Sequence, residues 1–212
     1  MKKLLFLLTT ILILAVSLVA QAAEEESSLT FYQRRQAAQE QLLQQQKQAT
    51  LPRVAVLYCN NAQTTYDKRI DHFVELNLKE AISSEYYQYI EGTPYMYALQ
   101  KSGIDDVASA ERADLIDILG DFDLDYLVYM EIEPVATKAK ATVFSKGKSA
   151  VVTAPLKIID MRNNRTLYNG KITEVGKTTV MMGKIGNKSV TLEGVKKVNE
   201  QVKQIIAERL PK

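Results

Sequence analysis

Asp125-Tyr-Leu-Val-Tyr-Met-Glu-Ile-Glu133-Pro-Val-Ala-Thr-Lys-Ala-Lys-Ala-Thr-Val143 changes its hydrophobic pattern at Pro134. Up to Ile132 the apolar residues run almost unbroken, as in a strand covered on both faces. Beyond Pro134 they alternate. Val135, Thr137, Ala139, Ala141 and Val143 share one face, and Lys138 and Lys140 share the other. Such alternation marks a half-buried antiparallel strand. A doubly buried strand that hands over to a meander predicts a mixed α/β sheet.

The flanking segments fit that sheet. Arg53-Val-Ala-Val-Leu-Tyr-Cys59 is a second continuous apolar run. Asp67 is placed to cap a helix whose face carries Ile70, Phe73, Val74, Leu78, Ala81 and Ile82, with His72 turned to solvent. Tyr86–Ile90 reads as a short strand. Thr93-Pro94 opens a helix closed by Gly103, and Ser109 opens another closed by Gly120. C-terminal to the alternating strand, Ser145-Lys-Gly-Lys-Ser149 is expected to turn into a strand over Ala150–Met161. Arg162-Asn-Asn-Arg165 turns into a further strand, Thr166–Glu174. Leu192, Val195, Val198, Val202, Ile205 and Ile206 stripe a final helix. The expected architecture is a central mixed sheet with crossover helices, an antiparallel meander and a C-terminal helix.

At the N-terminus, Lys2 and Lys3 precede an apolar run from Leu4 to Ala20. The small-x-small site Ala20-Gln21-Ala22 and then Glu24-Glu25-Glu26 follow. This is the layout of a cleaved secretory signal peptide over residues 1–22, which predicts export to the periplasm; an uncleaved anchor is the rival reading, disfavoured by an apolar run of only about 17 residues. The run has no cysteine behind it for lipid attachment, and no later run is long enough to span a bilayer. Residues 23–51 form a tether: between Gln33 and Gln48, eight of sixteen residues are Gln. Its apolar stripe is too thin for a core, so it reads as helical or disordered linker. Residues 52–212 make one domain.

Without Lys2 and Lys3 the chain has 25 basic and 25 acidic residues. A nucleic-acid binder would carry a basic excess. One cysteine, Cys59, excludes an internal disulfide, and one histidine, His72, excludes histidine-rich metal sites. Gly176-Lys-Thr-Thr179 lacks the first glycine of a phosphate loop, since position 171 is Lys and Gly170 comes one residue early. Asp121, Asp123 and Asp125 open like a calcium loop, but position 126 is Tyr and the twelfth is Ile132. Cys59 is expected to pack, and a thiol–imidazole pair would need His72 turned against its own helix stripe. A serine triad would need the same histidine, without a G-x-S-x-G elbow. No catalytic, cofactor or metal residues are assigned.

Two surface features remain. Tyr86, Tyr87, Tyr89, Tyr95 and Tyr97 are dense, with at least two of them expected in the core. Charge is divided: Asp71–Glu133 holds 15 acidic and 3 basic residues, and Pro134–Val190 holds 11 basic and 2 acidic. Either the two halves lie side by side in one sheet and partly neutralise each other, or they form oppositely charged faces suited to head-to-tail contacts or an anionic partner. Lys146, Lys148, Arg162 and Arg165, expected at loop tips, together with Tyr95 and Tyr97, are the candidate interaction residues.

Arg53-Val-Ala-Val-Leu-Tyr, Leu119-Gly-Asp-Phe-Asp-Leu-Asp-Tyr-Leu-Val-Tyr-Met-Glu-Ile and Leu156-Lys-Ile-Ile-Asp-Met-Arg-Asn-Asn-Arg-Thr-Leu-Tyr-Asn-Gly carry a resemblance. They resemble the periplasmic domain of the curli secretion channel and of the lipoprotein activators of penicillin-binding proteins. That domain is similar in turn to the N-terminal domain of the Tol translocation protein. The resemblance spans roughly residues 52–210 and implies a fold more than a function. This chain departs from the lipoproteins in lacking the acylated cysteine. Lys138, Lys140 and Lys157 also break any lipid-facing band that a pore would need. The expectation is a non-enzymatic envelope adaptor or assembly factor that binds an envelope protein or itself, without cofactor, nucleic acid or mature membrane span. A cell-wall hydrolase and a structural homo-oligomer are the alternatives.

Overall fold

The computed structural model describes residues 33–39, 43, 50–82, 85–141, 146–180 and 186–211; for Lys140, Ala141, Lys146 and Val180 it describes the backbone alone. The apolar start, its cleavage pattern and most of the Gln-rich stretch lie outside the described residues. The chain divides after Thr50. Residues 33–39, on the N-terminal side, are helical. The unit Leu51–Lys212 carries the sheet.

Its fold is mixed α/β. Strand β1 (Arg53–Asn60) lies between β2 (Gln88–Glu91) and β3 (Tyr126–Ile132) and is parallel to both. Helix α1 (Asp67–Ala81) joins β1 to β2, and α2 (Thr93–Lys101) and α3 (Arg112–Leu119) join β2 to β3. Next come β4 (Ala136–Ala141), β5 (Lys146–Asp160) and β6 (Arg165–Val180), paired antiparallel, and helix α4 (Asn187–Arg209). One edge of β5 pairs with β6 along its whole length. The other edge is shared, with Leu156–Asp160 on β3 and Lys146–Val151 on β4. Pro155, which has no N–H to donate, sits where the pairing passes from one strand to the other.

The continuous apolar runs fill two cores. Val54, Val56, Val128 and Met130 pack under α1 and α4 with Ile70, Val74, Val198 and Val202. Ala55, Leu57, Leu127 and Tyr129 pack under α2 and α3 with Tyr95, Leu99, Leu115 and Leu119. Successive strand residues point to opposite faces, so neither strand has room for a polar side. Two glycines allow backbones to meet. A Cβ on Gly92 would overlap the carbonyl of Val56, and one on Gly176 the carbonyl of Val190 in α4.

Several boundaries differ from expectation. Gly92, not Thr93, precedes α2, because only glycine fits against β1 there. Asp67 lies inside the first turn of α1 and accepts bonds from the amide and hydroxyl of Thr64 at 2.9 and 2.5 Å. Helix α3 starts at Arg112 rather than Ser109. The amide and hydroxyl of Ser109 are bound by Asp106 at 3.2 and 2.5 Å, and this closes a separate turn. Phe73 is 42% exposed. The core stripe of α1 follows Ile70, Val74 and Leu78 at steps of four, which leaves Phe73 on its flank. Strands β5 and β6 each run further than expected. Lys146–Ser149 are paired on both sides, to β4 and to β6, so they form strand rather than turn.

Candidate interaction surface

The second core covers β3 and the Lys157–Ile159 end of β5; among the described residues no helix covers the same face of β4, of β5 from Lys146 to Thr153, or of β6. The register sets the side chains of this bare face in rows. Lys138, Ser149 and Lys177 form one row across the three strands; Ala136, Val151 and Val175 form the next. The Thr153 and Thr173 hydroxyls follow, 3.3 Å apart. Lys171 lies beyond them, its ammonium 2.6 Å from Glu133, and that carboxylate raises its pKa. Lys157 closes the covered end. Its buried ammonium donates to the carbonyls of Val107 and Ala110 at 2.9 and 2.8 Å, and burial lowers its pKa.

The outer edge of β6 is a second exposed element. The Glu133 amide donates to the Thr153 carbonyl at 2.9 Å, and the Lys197 ammonium to the Val175 carbonyl at 3.0 Å. Thr153 therefore bonds away from β6. Its partner Thr173, like Val175, directs N–H and C=O away from β5. The period of two extends this to residues 169, 171, 177 and 179. No strand pairs with that edge among the described residues.

The candidate residues named from sequence do not share one surface. Tyr95 is buried against Phe122, its ring 5.2 Å away, because the core side of α2 needs a large apolar group there. Tyr97 is 68% exposed on the other side of that helix. Lys148 lies in β5 and donates to Asn187 at the start of α4 at 2.8 Å. Lys146 is also in β5, with its side chain outside the described residues. Arg162 and Arg165 do serve the core, contrary to expectation. Arg162 pairs with the buried carboxylate of Asp125, and Arg165 lies 3.8 Å from that of Asp160, also buried. Lys171 and Lys177 were not among the named residues. Lys171 lay inside the expected strand Thr166–Glu174, while Lys177 lay beyond its end, and only the strand's extension to Val180 puts both on one face with Thr173 and Val175.

The chemical motifs resolve into structure. Gly176–Thr179 is extended strand against α4, so it forms no phosphate cradle. Asp125 accepts the Arg53 amide at 2.6 Å, and Asp123 pairs with the Arg53 guanidinium at 3.3 Å. Burial raises the Cys59 thiol, and the charge of Glu131 adds to the rise. His72 is exposed on α1 and edges the ring of Phe73. A cleft of about 300 Å³ beside β2 is lined by Tyr58, Glu75, Lys79, Tyr89, Glu91 and Met96. Burial raises both of its tyrosine hydroxyls, with Asp71 and Glu75 the next causes for Tyr58 and Tyr89 respectively. Its lining includes neither cysteine nor histidine.

No family model and no curated protein matches the chain. Solved structures that it resembles include a hypothetical protein from Chlamydia trachomatis, 12% identical over 74% of this chain and 98% of that one, with a TM-score of 0.46. A lipoprotein from Neisseria meningitidis is 15% identical over 72% of this chain and 99% of its own, TM-score 0.37. The LpoB C-terminal domain from Salmonella enterica is 12% identical over 57% of this chain and 81% of its own, TM-score 0.32. Among the described residues no helix is long and apolar enough to cross a membrane.

Proposed function

We propose that this chain is an exported, non-enzymatic adaptor or assembly factor of the cell envelope, acting by binding another envelope protein. The observation that carries this reading is the edge of β6 that no strand pairs among the described residues, where alternate residues from 169 to 179 turn backbone donors and acceptors outward and the Val175 carbonyl alone is seen bound, to Lys197. An extended segment of a partner can add to such an edge through main-chain bonds. The Cys59 environment supports the non-enzymatic side of the proposal, because a thiol nucleophile needs its pKa lowered rather than raised.

Thr173→Pro tests the reading. It removes one outward N–H and none that bonds β5, and proline is tolerated on that side of an edge strand. The substituted protein should keep its cooperative unfolding and lose co-purification with its envelope partner after in vivo cross-linking. Unchanged partner recovery from a folded Thr173→Pro protein would refute strand addition at this edge.

A further inference from the structure

The bare face of β4–β5–β6 has a counterpart in the same chain. Helix α3 buries Leu115 and Leu119 and turns Asp114 and Asp117 outward, with exposed Asp121 following in the next turn. These carboxylates have no ion-pair partner among the described residues, and neither do Lys138 and Lys177. Asp114 and Asp121 are about 11 Å apart along the axis, five residues of α3 at about 1.5 Å each and two of the 3-10 turn Gly120–Phe122 at about 2.0 Å each. Lys138 and Lys177, two strand spacings apart, are separated by about 10 Å. Ser149 lies between the lysines as Asp117 lies between the outer carboxylates. The acidic ridge belongs to the helix layer on the same side of the sheet as the bare face, and among the described residues that layer does not extend over β4, β6 or the Lys146–Thr153 part of β5.

We infer that a second copy of this chain docks here. Its α3 lies across the Lys138–Ser149–Lys177 row and supplies the missing helix layer. The contact is reciprocal in charge, so two copies can each cover the other's bare face. Apolar Ala136 and Val151 beside the row give the docked helix a surface to exclude water from, while the lysines set its register. This self-association uses the face of the sheet, whereas the adaptor reading uses the backbone edge of β6, so Thr173→Pro and the charge swaps test them separately.

Charge-swap pairing measured by sedimentation tests it. The protein, exported and purified, should associate at about 0.05 M salt and dissociate at about 0.5 M, where screening shortens below 5 Å. Lys138→Glu with Lys177→Glu, and separately Asp114→Lys with Asp117→Lys, should each weaken association by at least about 100-fold, because attraction becomes repulsion. An equimolar mixture of the two doubly substituted proteins should associate again, since each keeps the surface the other lacks. A chain with all four substitutions should also self-associate. In a Cys59→Ala background, Ser149→Cys mixed with Asp117→Cys should form an intermolecular disulfide, and this arm stands even if a charge-swap protein fails to fold. Wild type that stays monomeric at low salt overturns the inference. So does a mixture of folded swap proteins that does not associate, or a cysteine pair that does not cross-link.

Discussion

Arg162→Ala should destabilise the domain although Arg162 is 68% exposed. Its partner Asp125 is 8% exposed and sits where β1, β3 and the turn after β5 converge. Asp125 accepts the Arg53 amide at 2.6 Å, donates its own amide to the Arg53 carbonyl at 3.0 Å, and accepts the Met161 amide on its carbonyl at 2.9 Å. Removing the guanidinium leaves a buried carboxylate with one backbone donor. A buried charge stripped of its partner costs about 3–5 kcal/mol when no water reaches it. Solvent around Arg162 screens much of the pair, and the Arg53 amide remains, so the expected loss is about 1–2 kcal/mol. For a domain of this size that lowers the melting temperature by roughly 2–8 °C. Urea unfolding of wild type, Arg162→Ala, Asp125→Asn and the double substitution gives the coupling directly. The double should be less destabilised than the sum of the singles, by about 1 kcal/mol. A coupling within about 0.3 kcal/mol of zero would falsify the assignment of Arg162 as the counter-ion of a buried carboxylate.

Other consequences follow from the same contacts. Gly176→Ala should cost about 1–3 kcal/mol in chemical unfolding, because a methyl group there meets the backbone of α4 and not a yielding side chain. Tyr58 and Tyr129 have hydroxyls raised by burial, with Asp71 and Glu131 the next causes. The unfolded chain ionises them first, so their contribution to stability is present below about pH 10 and is lost as pH rises through the folded values. An absorbance titration at alkaline pH should show these two ionising only with unfolding. N-terminal sequencing of exported protein should begin at or near Ala23, and an intact Met1 would contradict export by cleavage.

What the sequence determined by itself was the central architecture. Arg53–Cys59 and Tyr126–Ile132 are apolar on both alternations, and only a strand between two helix layers satisfies that pattern. The stripe through Val195, Val198 and Val202 likewise specified α4, since a 3.6-residue period over that length has no strand counterpart. Tertiary structure alone decided the surface. Lys146–Ser149 contain a glycine and two lysines and look like a turn locally; they become strand because β4 and β6 supply hydrogen-bond partners on both edges. Arg162 looks like a loop-tip charge until the fold brings Asp125, 37 residues earlier, beside it. Tyr95 and Tyr97 are two residues apart on α2, and the packing of β1 and β3 alone selects which one is buried. The edge of β6 and the face beside it that no element covers among the described residues depend on which strands stop pairing, and local periodicity does not encode long-range neighbours.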